Sequence, residues 1–565
     1  MGQSSDISPT AEQQAIVERS MSGDSLKIEA GAGAGKSTTL KLVSGDLLRV
    51  NNRRRILYLA FNTTVAREAS GKMPGVVCRT GHSLAYSHTP DFLRKRIVES
   101  GATIWNDWKN RIAGSEDLSR QFGDVVYAWK SILDSRGNDA DLDQIRRNVF
   151  GVLRTVIAQF ERSAEVKFTD NHFPWREKSF LQFAGMEGVL FPKIPEEARI
   201  RSVKGLVRSS IVRPIVSLAD TLWRESIDPA STLPITHDTY LKLFSLGKPS
   251  LPFDTILFDE AQDANPVLLS IVESQPVQRI YVGDAHQQIY SWRGAENAMQ
   301  GLALPKLPLY QSFRFGSDLA DYANRILAVK WEFEPYQGSE PMRLRGNPGL
   351  KTFVHTGLRT GETDAILCRT NAGVLDATIQ KIDAGEIPFI VGGSKGFTTY
   401  LTEAYKLSKG QTSLHPEFSM FPTWEDLSKF AETAEGASYG VVLKMVDKYK
   451  DEIPGLVEKV QKSVAPSASE GSVTITTAHK AKGLEWDRIM IHDDARPFVS
   501  DRDDGTIVLN EEECNLLYVA VTRARLEAFV GNAEEVLSDS EKLALRVPGL
   551  SENYGEDLET VGPGV

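Results

Sequence analysis

The sequence predicts an α/β protein whose parallel sheets are covered on both faces by helices. Short apolar runs rich in β-forming residues recur along the chain, and segments with helical periodicity separate them, as in sheets built from strand–helix–strand units. The runs fall into two clusters, one ending near Gly294 and one beginning near Leu307, and a longer helical stretch interrupts each cluster. The strand candidates are Leu26–Ala30, Ile56–Phe61, Thr255–Phe258, Ile280–Val282, Ala365–Cys368, Arg488–Ile491 and Ala528–Gly531.

The composition is that of an ordinary globular protein. Of the 565 residues, 41% are hydrophobic and 25% are charged, which excludes a wholly disordered, collagen-like or coiled-coil protein. No run approaches the roughly 18 apolar residues of a membrane span, and the N-terminus lacks the pattern of a secretory signal. Cys78, Cys368 and Cys514 are widely separated and fit a reducing compartment without disulfides or zinc. We therefore expect a cytoplasmic protein with no membrane partner.

The charge is unevenly distributed. The net charge is −10, but the segment from Glu534 to Val565 alone holds eight acids and two bases. The segment from Arg146 to Arg213 holds thirteen bases and seven acids. A nucleic-acid-binding protein needs a basic groove and not a basic total. The charge therefore permits a nucleic-acid partner without predicting one.

A phosphate-binding loop follows the first strand candidate. Its small residues let consecutive backbone N–H groups converge on phosphate oxygens, and the next helix adds its dipole. Lys36 can reach the β- and γ-phosphates, and the Ser37 hydroxyl can ligate Mg²⁺. The pattern is a Walker A motif with alanine at the first fixed position, and it predicts ATP and Mg²⁺ as ligands. The loop comprises Ala30, Gly31, Ala32, Gly33, Ala34, Gly35, Lys36, Ser37 and Thr38.

Two adjacent carboxylates, Asp259 and Glu260, end the buried strand candidate Thr255–Phe258. The carboxyl ends of strands form the ligand edge of an α/β sheet. Asp259 is expected to hold Mg²⁺ through water, and Glu260 to orient and deprotonate the attacking water. The alternative is a solvated acidic turn, which the Walker A loop in the same predicted sheet makes less favourable.

Further segments carry recognisable motifs: Gln13 in PTAEQQAIV, YLAFN (58–62), HSLAY (82–86), THDTYLK (236–242), DEAQD (259–263), VGDAHQQIYSWRGA (282–295), SFRF (312–315), TAHKAKGLEW (477–486) and LYVAVTRAR (517–525). In this order they resemble the motifs of the UvrD/Rep-like branch of the superfamily 1 helicases. The resemblance covers about residues 8–90, 210–395 and 470–532, and parts of it are most similar to the helicase core of the F-box DNA helicases. Because only 29 residues precede Ala30, we expect no F-box.

The resemblance implies two tandem RecA-like P-loop domains, each interrupted by a mainly helical insertion. We predict the first domain at 1–88 and 210–300, its insertion at 89–209, the second domain at 301–397 and 469–532, and a short second insertion at 398–468. An acidic, solvated tail is expected at 533–565. Relatives use a larger second insertion to touch duplex, so duplex engagement there cannot be carried over.

The resemblance also assigns roles around the nucleotide. Gln13 corresponds to the residue that reads adenine, Phe313 to the aromatic that stacks on it, and Glu485 to the carboxylate that accepts from the ribose. Gln287 resembles the γ-phosphate sensor. Arg314 and Arg523 resemble the arginines that offset charge on the transferred phosphoryl group, a role that changes rates by orders of magnitude.

For the nucleic acid, the resemblance implies contacts that stack on bases or hold the backbone without reading sequence. Gly81 stands where many relatives carry an aromatic residue, which removes one expected base contact. A core or purely hydrogen-bonding role is the alternative for Trp292 and His82. The residues implied are Phe61, Asn62, Thr80, His82, Tyr290, Trp292 and Arg293.

The function implied is an ATP-dependent translocase on single-stranded DNA that moves 3′ to 5′ and separates duplex, acting at single-strand/duplex junctions in DNA repair or recombination. We expect a monomer or weak self-association, recombinase or repair proteins as further partners, and a bacterial or phage-like cytoplasm, or a nucleus if the host is eukaryotic. Two alternatives stay open: a translocase that displaces recombinase filaments with little unwinding, and an ATP-gated nucleic-acid sensor in phage defence. The residues do not exclude RNA as substrate.

Overall fold

The structure is a computed structural model that describes residues 9–546 with several gaps. The statements below concern the described residues alone. The gaps are 99–100, 136, 138–140, 176–185, 187–204, 206, 290–297, 334–340, 358–361, 412, 414, 416–417, 419–420, 422, 432–438 and 502–506.

Strands and helices alternate along most of the described chain. The strands are β1 (Leu26–Ala30), β2 (Ile56–Ala60), β3 (Val76–Thr80), β4 (Thr255–Phe258), β5 (Gln278–Gly283), β6 (Lys306–Leu309), β7 (Phe353–His355), β8 (Ala365–Cys368), β9 (Pro388–Ile390), β10 (Val473–Thr477), β11 (Trp486–Ile491), β12 (Val499–Asp501), β13 (Ile507–Leu509) and β14 (Ala524–Phe529). The first helices are α1 (Ala11–Ser20), α2 (Lys36–Val50), α3 (Thr63–Lys72), α4 (Gly81–Ser87), α5 (Asp91–Arg94), α6 (Gly101–Ala113), α7 (Glu116–Asp134), α8 (Leu142–Arg162), α9 (Arg213–Ile227), α10 (His237–Leu246) and α11 (Pro266–Glu273). The remaining helices are α12 (Ala298–Gly301), α13 (Ser317–Phe333), α14 (Asn371–Asp383), α15 (Lys395–Ser408), α16 (Trp424–Ala431), α17 (Gly440–Tyr449), α18 (Ile453–Ser463), α19 (Ala478–Ala481), α20 (Glu511–Val521) and α21 (Asn532–Ala544).

The chain divides into two compact units. Unit 1 consists of Met1–Val43, Tyr281–Ser291 and Met299–Val565, and unit 2 consists of Ser44–Ile280 and Trp292–Ala298. This division differs from the domain boundaries predicted above, which stay a prediction.

Unit 1 contains a six-stranded sheet in the order β7-β14-β11-β8-β10-β9. Every strand pair in this sheet is parallel. Its central strand β8 is buried along its whole length, as expected for a parallel strand with helices on both faces. Strands β1 and β6 also pair in parallel within unit 1. The predicted α/β class, with two tandem RecA-like domains, is confirmed.

Unit 2 contains the parallel neighbours β3-β2-β4. Strands β1, β4 and β8 have the predicted boundaries, whereas β14 begins four residues before the predicted Ala528. The prediction missed that start because Arg525 and Glu527 interrupt the apolar run, although the backbone is already paired with its neighbours there. It also missed β3 and the fully buried, threonine-rich β10.

The first insertion is helical where it is described. Helix α8 buries Ile145, Val149, Leu153, Val156 and Phe160, a spacing of three or four residues that places these side chains on one face. Helix α7 also buries apolar side chains along its length, from Leu118 near its start to Leu133 near its end. These faces meet in one apolar cluster that also includes residues of α6 and α9.

The buried carboxylate of Glu161 lies next to that apolar cluster in unit 2. Glu161 on α8 accepts hydrogen bonds from Trp223 Nε1 (3.1 Å) and from the hydroxyls of Thr239 (2.6 Å) and Thr236 (3.2 Å). Burial, reinforced by the nearby charge of Asp238, raises the pKa of Glu161 to about 7 despite these three donors. The first insertion is thereby joined to α10 by a carboxyl group whose pKa lies near neutral pH.

Replacing Glu161 with glutamine should stabilise the protein more at pH 8 than at pH 5. Because the pKa of Glu161 is raised in the folded state, its contribution to stability is complete below its ordinary value of 4.5 and is lost as the pH rises through about 7. Between the two pH values, wild type should lose about 2 kcal/mol of unfolding free energy relative to Glu161→Gln. Denaturant unfolding at both pH values measures this difference, with Glu116→Gln at an exposed position as the control. Parallel responses of wild type and Glu161→Gln to pH would contradict it.

The second insertion is also helical where described, and its helices α15 to α18 run from Lys395 to Ser463. The tail prediction is wrong for residues 533–544, because these residues lie within helix α21. Leu537 on that helix is fully buried, and Arg325 forms ion pairs with Glu534 (3.0 Å) and Glu541 (2.9 Å). Two of the acidic residues that suggested a solvated tail, Glu534 and Glu541, therefore form ion pairs that fix helix α21 in place.

Two further predictions concern cysteines and membranes. The three thiols are free, with Cys368 and Cys514 buried, and burial raises the pKa of the Cys514 thiol to about 12. None of the helices in the described ranges is long and apolar enough to cross a bilayer.

Candidate nucleotide and nucleic-acid sites

The phosphate-binding loop joins β1 to α2 in unit 1. Gly33 and Gly35 have φ values of +70° and +77°, in the left-handed region that glycine adopts without strain. A Cβ atom on Gly33 would lie 2.6 Å from Arg314 Cβ and 2.7 Å from Ser312 Oγ. The Phe313 N–H donates to the Gly33 carbonyl at 2.9 Å. Glycine is therefore required at position 33 for the loop to contact residues 312–314. Ser37 and Thr38, at the end of the loop, are exposed.

The residues implied to bind adenine lie together beside this loop. Gln13 Nε2 donates to Thr39 Oγ1 (3.2 Å), and Gln13 Oε1 accepts from the Thr10 backbone N–H (3.1 Å). These bonds hold the amide of a side chain that is 3% exposed. The Phe313 ring lies over Gly35, 3.3 Å from where a Cβ would be. Phe313 is 38% exposed and is therefore not an ordinary core residue. Its ring is available to stack on a base.

Gln287 and Arg523 are directly bonded. Gln287 Nε2 donates to Asp284 Oδ2 (2.7 Å), and Arg523 Nη2 donates to Gln287 Oε1 (3.1 Å). A carboxylate only accepts and a guanidinium only donates, so the orientation of the amide is fixed by its two neighbours. Arg523 is 2% exposed, and its Nε donates to the Val519 carbonyl (3.0 Å). The predicted sensor and the predicted arginine finger thus form one continuous polar chain.

Arg314 is held in the same unit by two acceptors. Its Nε donates to Glu485 Oε2 (2.7 Å) and its Nη1 to the Thr522 carbonyl (2.7 Å). Glu485, implied to accept from the ribose, is thus paired with Arg314, which leaves its 44% exposed side chain partly open to another donor. Arg314 therefore lies beside the phosphate-binding loop, and Arg523 lies beside Gln287; both positions belong to unit 1.

Asp284 and Tyr518 were given no role by the sequence reasoning, although both lie inside recognised motifs. The Tyr518 hydroxyl donates to Asp284 Oδ2 (3.0 Å) and accepts from the Ala32 backbone N–H (3.2 Å). Both side chains are fully buried, and burial raises the pKa of Asp284 even though Lys36 and three hydrogen bonds oppose it. The Ala32 N–H is consequently engaged by the protein itself. The sequence did offer one signal for Asp284: it is a carboxylate directly after β5, at the edge of the sheet where ligands bind.

The paired carboxylates end β4 in unit 2. Asp259 is 2% exposed; its Oδ2 accepts from the Tyr58 hydroxyl and its Oδ1 from the Glu260 N–H (2.9 Å). Glu260 has φ +51° and ψ +42°, a left-handed conformation that costs a non-glycine residue about 1–3 kcal/mol and is concentrated at functional sites. Gln262 Nε2 donates to the Glu260 carboxylate at 2.6 Å. The solvated acidic turn is therefore the poorer description.

The oxygen donors expected for Mg²⁺ are Ser37 in unit 1 and Asp259 in unit 2. The described residues hold no group of three or more His, Cys, Asp or Glu side chains suited to a metal ion. Mg²⁺ at nucleotide sites is commonly held by one or two protein oxygens, water and the substrate phosphates. The Ser37 hydroxyl and the Asp259 carboxylate are each an oxygen donor of the kind that Mg²⁺ binds.

Four residues implied to contact nucleic acid lie in unit 2, at the ends of β2 and β3. Phe61 is 41% exposed. Asn62 and Thr80 cap α3 and α4 by accepting from the Val65 and Ser83 N–H groups, so each also starts a helix. Tyr290, Trp292 and Arg293 lie outside the described residues.

His82 is the fourth of these residues. It is 44% exposed, and its Nε2 lies 3.4 Å from Asp238 Oδ1. Arg162 Nε donates to the other oxygen of Asp238 at 3.0 Å. Burial would raise the pKa of Asp238, but His82 and Arg162 lower it to about 2. An ionised carboxylate thus orients a half-exposed imidazole.

Two models of known protein families match this chain. A model described as an AAA domain matches residues 13–293, and one described as a UvrD-like helicase C-terminal domain matches residues 432–535. The first contains the phosphate loop and both paired carboxylates. The second contains Glu485, Tyr518 and Arg523.

Curated relatives are helicases by name. The chain is 29% identical over 556 residues to F-box DNA helicase 1 of Gallus gallus, covering 92% of this chain and 49% of the relative. It is 29% identical over 550 residues to F-box DNA helicase protein 1 of Schizosaccharomyces pombe, covering 91% and 56%. ATP-dependent DNA helicase UvrD2 of Mycobacterium tuberculosis is 24% identical over 340 residues, or 47% of this chain and 46% of the relative. The chain thus spans about half the length of these relatives. With two matching family models and the motifs of that family in order, it belongs to the UvrD-like superfamily 1 helicases.

Proposed function

We propose that this chain is an ATP-dependent DNA helicase that moves 3′ to 5′ on single-stranded DNA and couples ATP hydrolysis to duplex unwinding, in repair or recombination. The observation that carries the proposal is the polar chain within unit 1. It runs from the phosphate loop through Asp284 and Gln287 to Arg523. Such a chain links the nucleotide motifs of the first RecA-like domain to a motif of the second, as a nucleotide-driven motor requires. The relatives' names, which include DNA helicase, support the helicase part of the proposal.

In the proposed reaction the residues around the nucleotide position it and stabilise charge. Lys36 binds the β- and γ-phosphates, Gln13 and Phe313 hold the base, and Arg314 and Arg523 offset charge as the γ-phosphoryl group is transferred. Mg²⁺ would supply charge neutralisation at the phosphates, and Ser37 directly and Asp259 through water are the residues that would hold it. Glu260 accepts the proton of the attacking water.

On the nucleic-acid side, Phe61 offers a ring face to a base, and stacking of this kind contributes about 1–3 kcal/mol per base. Capping uses only the acceptor oxygens of Asn62 and Thr80, so the Asn62 amide and the Thr80 hydroxyl each keep a donor for a phosphate oxygen. Asn62 is exposed, whereas Thr80 is only 6% exposed. His82 offers an oriented imidazole. Since none of these contacts reads base edges, we expect binding to be independent of sequence.

Replacing Lys36 with alanine should abolish unwinding of a 3′-tailed duplex, because no other side chain of the loop carries a charge to the phosphates. Lys41→Ala, on an exposed position of the same helix, is the matched control and should unwind as wild type does. Strand separation with 3′-tailed, 5′-tailed and blunt duplexes measures both activity and direction. ATP-dependent unwinding by Lys36→Ala would overturn the proposal, and a preference for 5′ tails would overturn the direction.

A further inference from the structure

The fully buried Tyr518 lies at a junction between three motifs of unit 1. Its hydroxyl contacts both the phosphate loop, at Ala32, and the carboxylate of Asp284. A tyrosine hydroxyl has one proton to donate and lone pairs to accept, and the two neighbours use both capacities. The residues joined lie 486 and 234 positions from Tyr518 along the chain. A packing role alone would need the ring and not these two bonds.

Asp284 in turn determines how Gln287 is held. Its Oδ2 accepts from both the Tyr518 hydroxyl and Gln287 Nε2, and its Oδ1 accepts from the His286 N–H (3.0 Å). The carboxylate is therefore oriented from three sides. Losing the Tyr518 donor frees Oδ2 to move with Gln287, and the Gln287 carbonyl then no longer presents a fixed acceptor to Arg523.

We propose that Tyr518 is a positioning residue for ATP hydrolysis: it fixes Asp284 against the phosphate loop, so that Gln287 and Arg523 keep the geometry that hydrolysis requires. This inference rests on the proposed function. Tyr518 itself touches no reacting atom. The other N–H groups of the loop are untouched by Tyr518, so its hydroxyl should affect turnover and not the affinity for ATP.

The test is Tyr518→Phe, which removes only the hydroxyl. With saturating single-stranded DNA we expect kcat to fall at least fivefold while the KM for ATP stays within twofold of wild type. Tyr405→Phe is the matched control, because the Tyr405 hydroxyl also donates to a carboxylate, Asp451, at 2.9 Å, but on the second insertion. It should leave both constants unchanged.

A double-mutant cycle separates positioning from general destabilisation. If Tyr518 acts through Gln287, adding Tyr518→Phe to Gln287→Ala should lower kcat by less than twofold further. A full fivefold further loss, an unchanged kcat in the single variant, or a raised KM at unchanged kcat would overturn the inference. Wild type without ATPase activity would overturn the proposed function and this inference with it, whereas an active wild type matched by Tyr518→Phe would overturn the inference alone.

Discussion

Replacing Arg523 with alanine is expected to lower the kcat of DNA-stimulated ATP hydrolysis by about 10³-fold or more. The guanidinium is almost fully buried, and one of its nitrogens donates to Gln287. Within a water-poor site a fixed cation stabilises charge on the transferred phosphoryl group far more than it would in solvent. Steady-state hydrolysis with and without single-stranded DNA measures the loss.

Arg525 provides the matched control, two residues further along the chain. It is 47% exposed and pairs with Asp487 at 2.8 Å, and a surface ion pair of this kind contributes at most about 1 kcal/mol. Arg525→Ala should therefore hydrolyse ATP at nearly the wild-type rate. Arg523→Lys retains the charge without the planar fork and should remain strongly impaired. If Arg523→Ala stays within tenfold of wild type while folding normally, Arg523 is not the arginine finger.

Much of the local structure of the candidate nucleotide site could be predicted because its residue pattern is local in sequence. The Walker A loop needs small residues, a lysine and a hydroxyl in fixed order; the structure places the small residues between β1 and α2, and Lys36 and Ser37 at the start of α2. Asp259 follows a strand whose boundaries were predicted correctly. In each case neighbouring residues specify both the backbone and the chemistry.

The contacts that could not be predicted join segments far apart in the chain. Nothing near Tyr518 reveals that its hydroxyl meets Ala32, and nothing near Glu485 reveals that it pairs with Arg314. The acidic C-terminal segment misled the prediction for the same reason, since the partner of Glu534 and Glu541 is Arg325, more than 200 positions away. Charge in a sequence shows that a partner is needed without showing where it lies.

Replacing Glu260 with glutamine is expected to lower kcat by about 10²–10⁴-fold while ATP still binds, because an amide cannot take a proton from the attacking water. Nucleotide affinity measured with a slowly hydrolysed ATP analogue should remain near wild type. Glu273→Gln, on an exposed position of the following helix α11, is the matched control. It should leave turnover unchanged.

The backbone at Glu260 makes this substitution specific. Glutamine has the same length, so the strain at φ +51° is retained, while the negative charge, one acceptor oxygen and the basicity are lost. Asp263 lies nearby, 6% exposed, as the competing candidate. If Glu260→Gln hydrolyses ATP within tenfold of wild type and Asp263→Asn does not, the general base is Asp263. If both single variants are active, neither carboxylate is the base, and the strain at Glu260 serves folding and not catalysis.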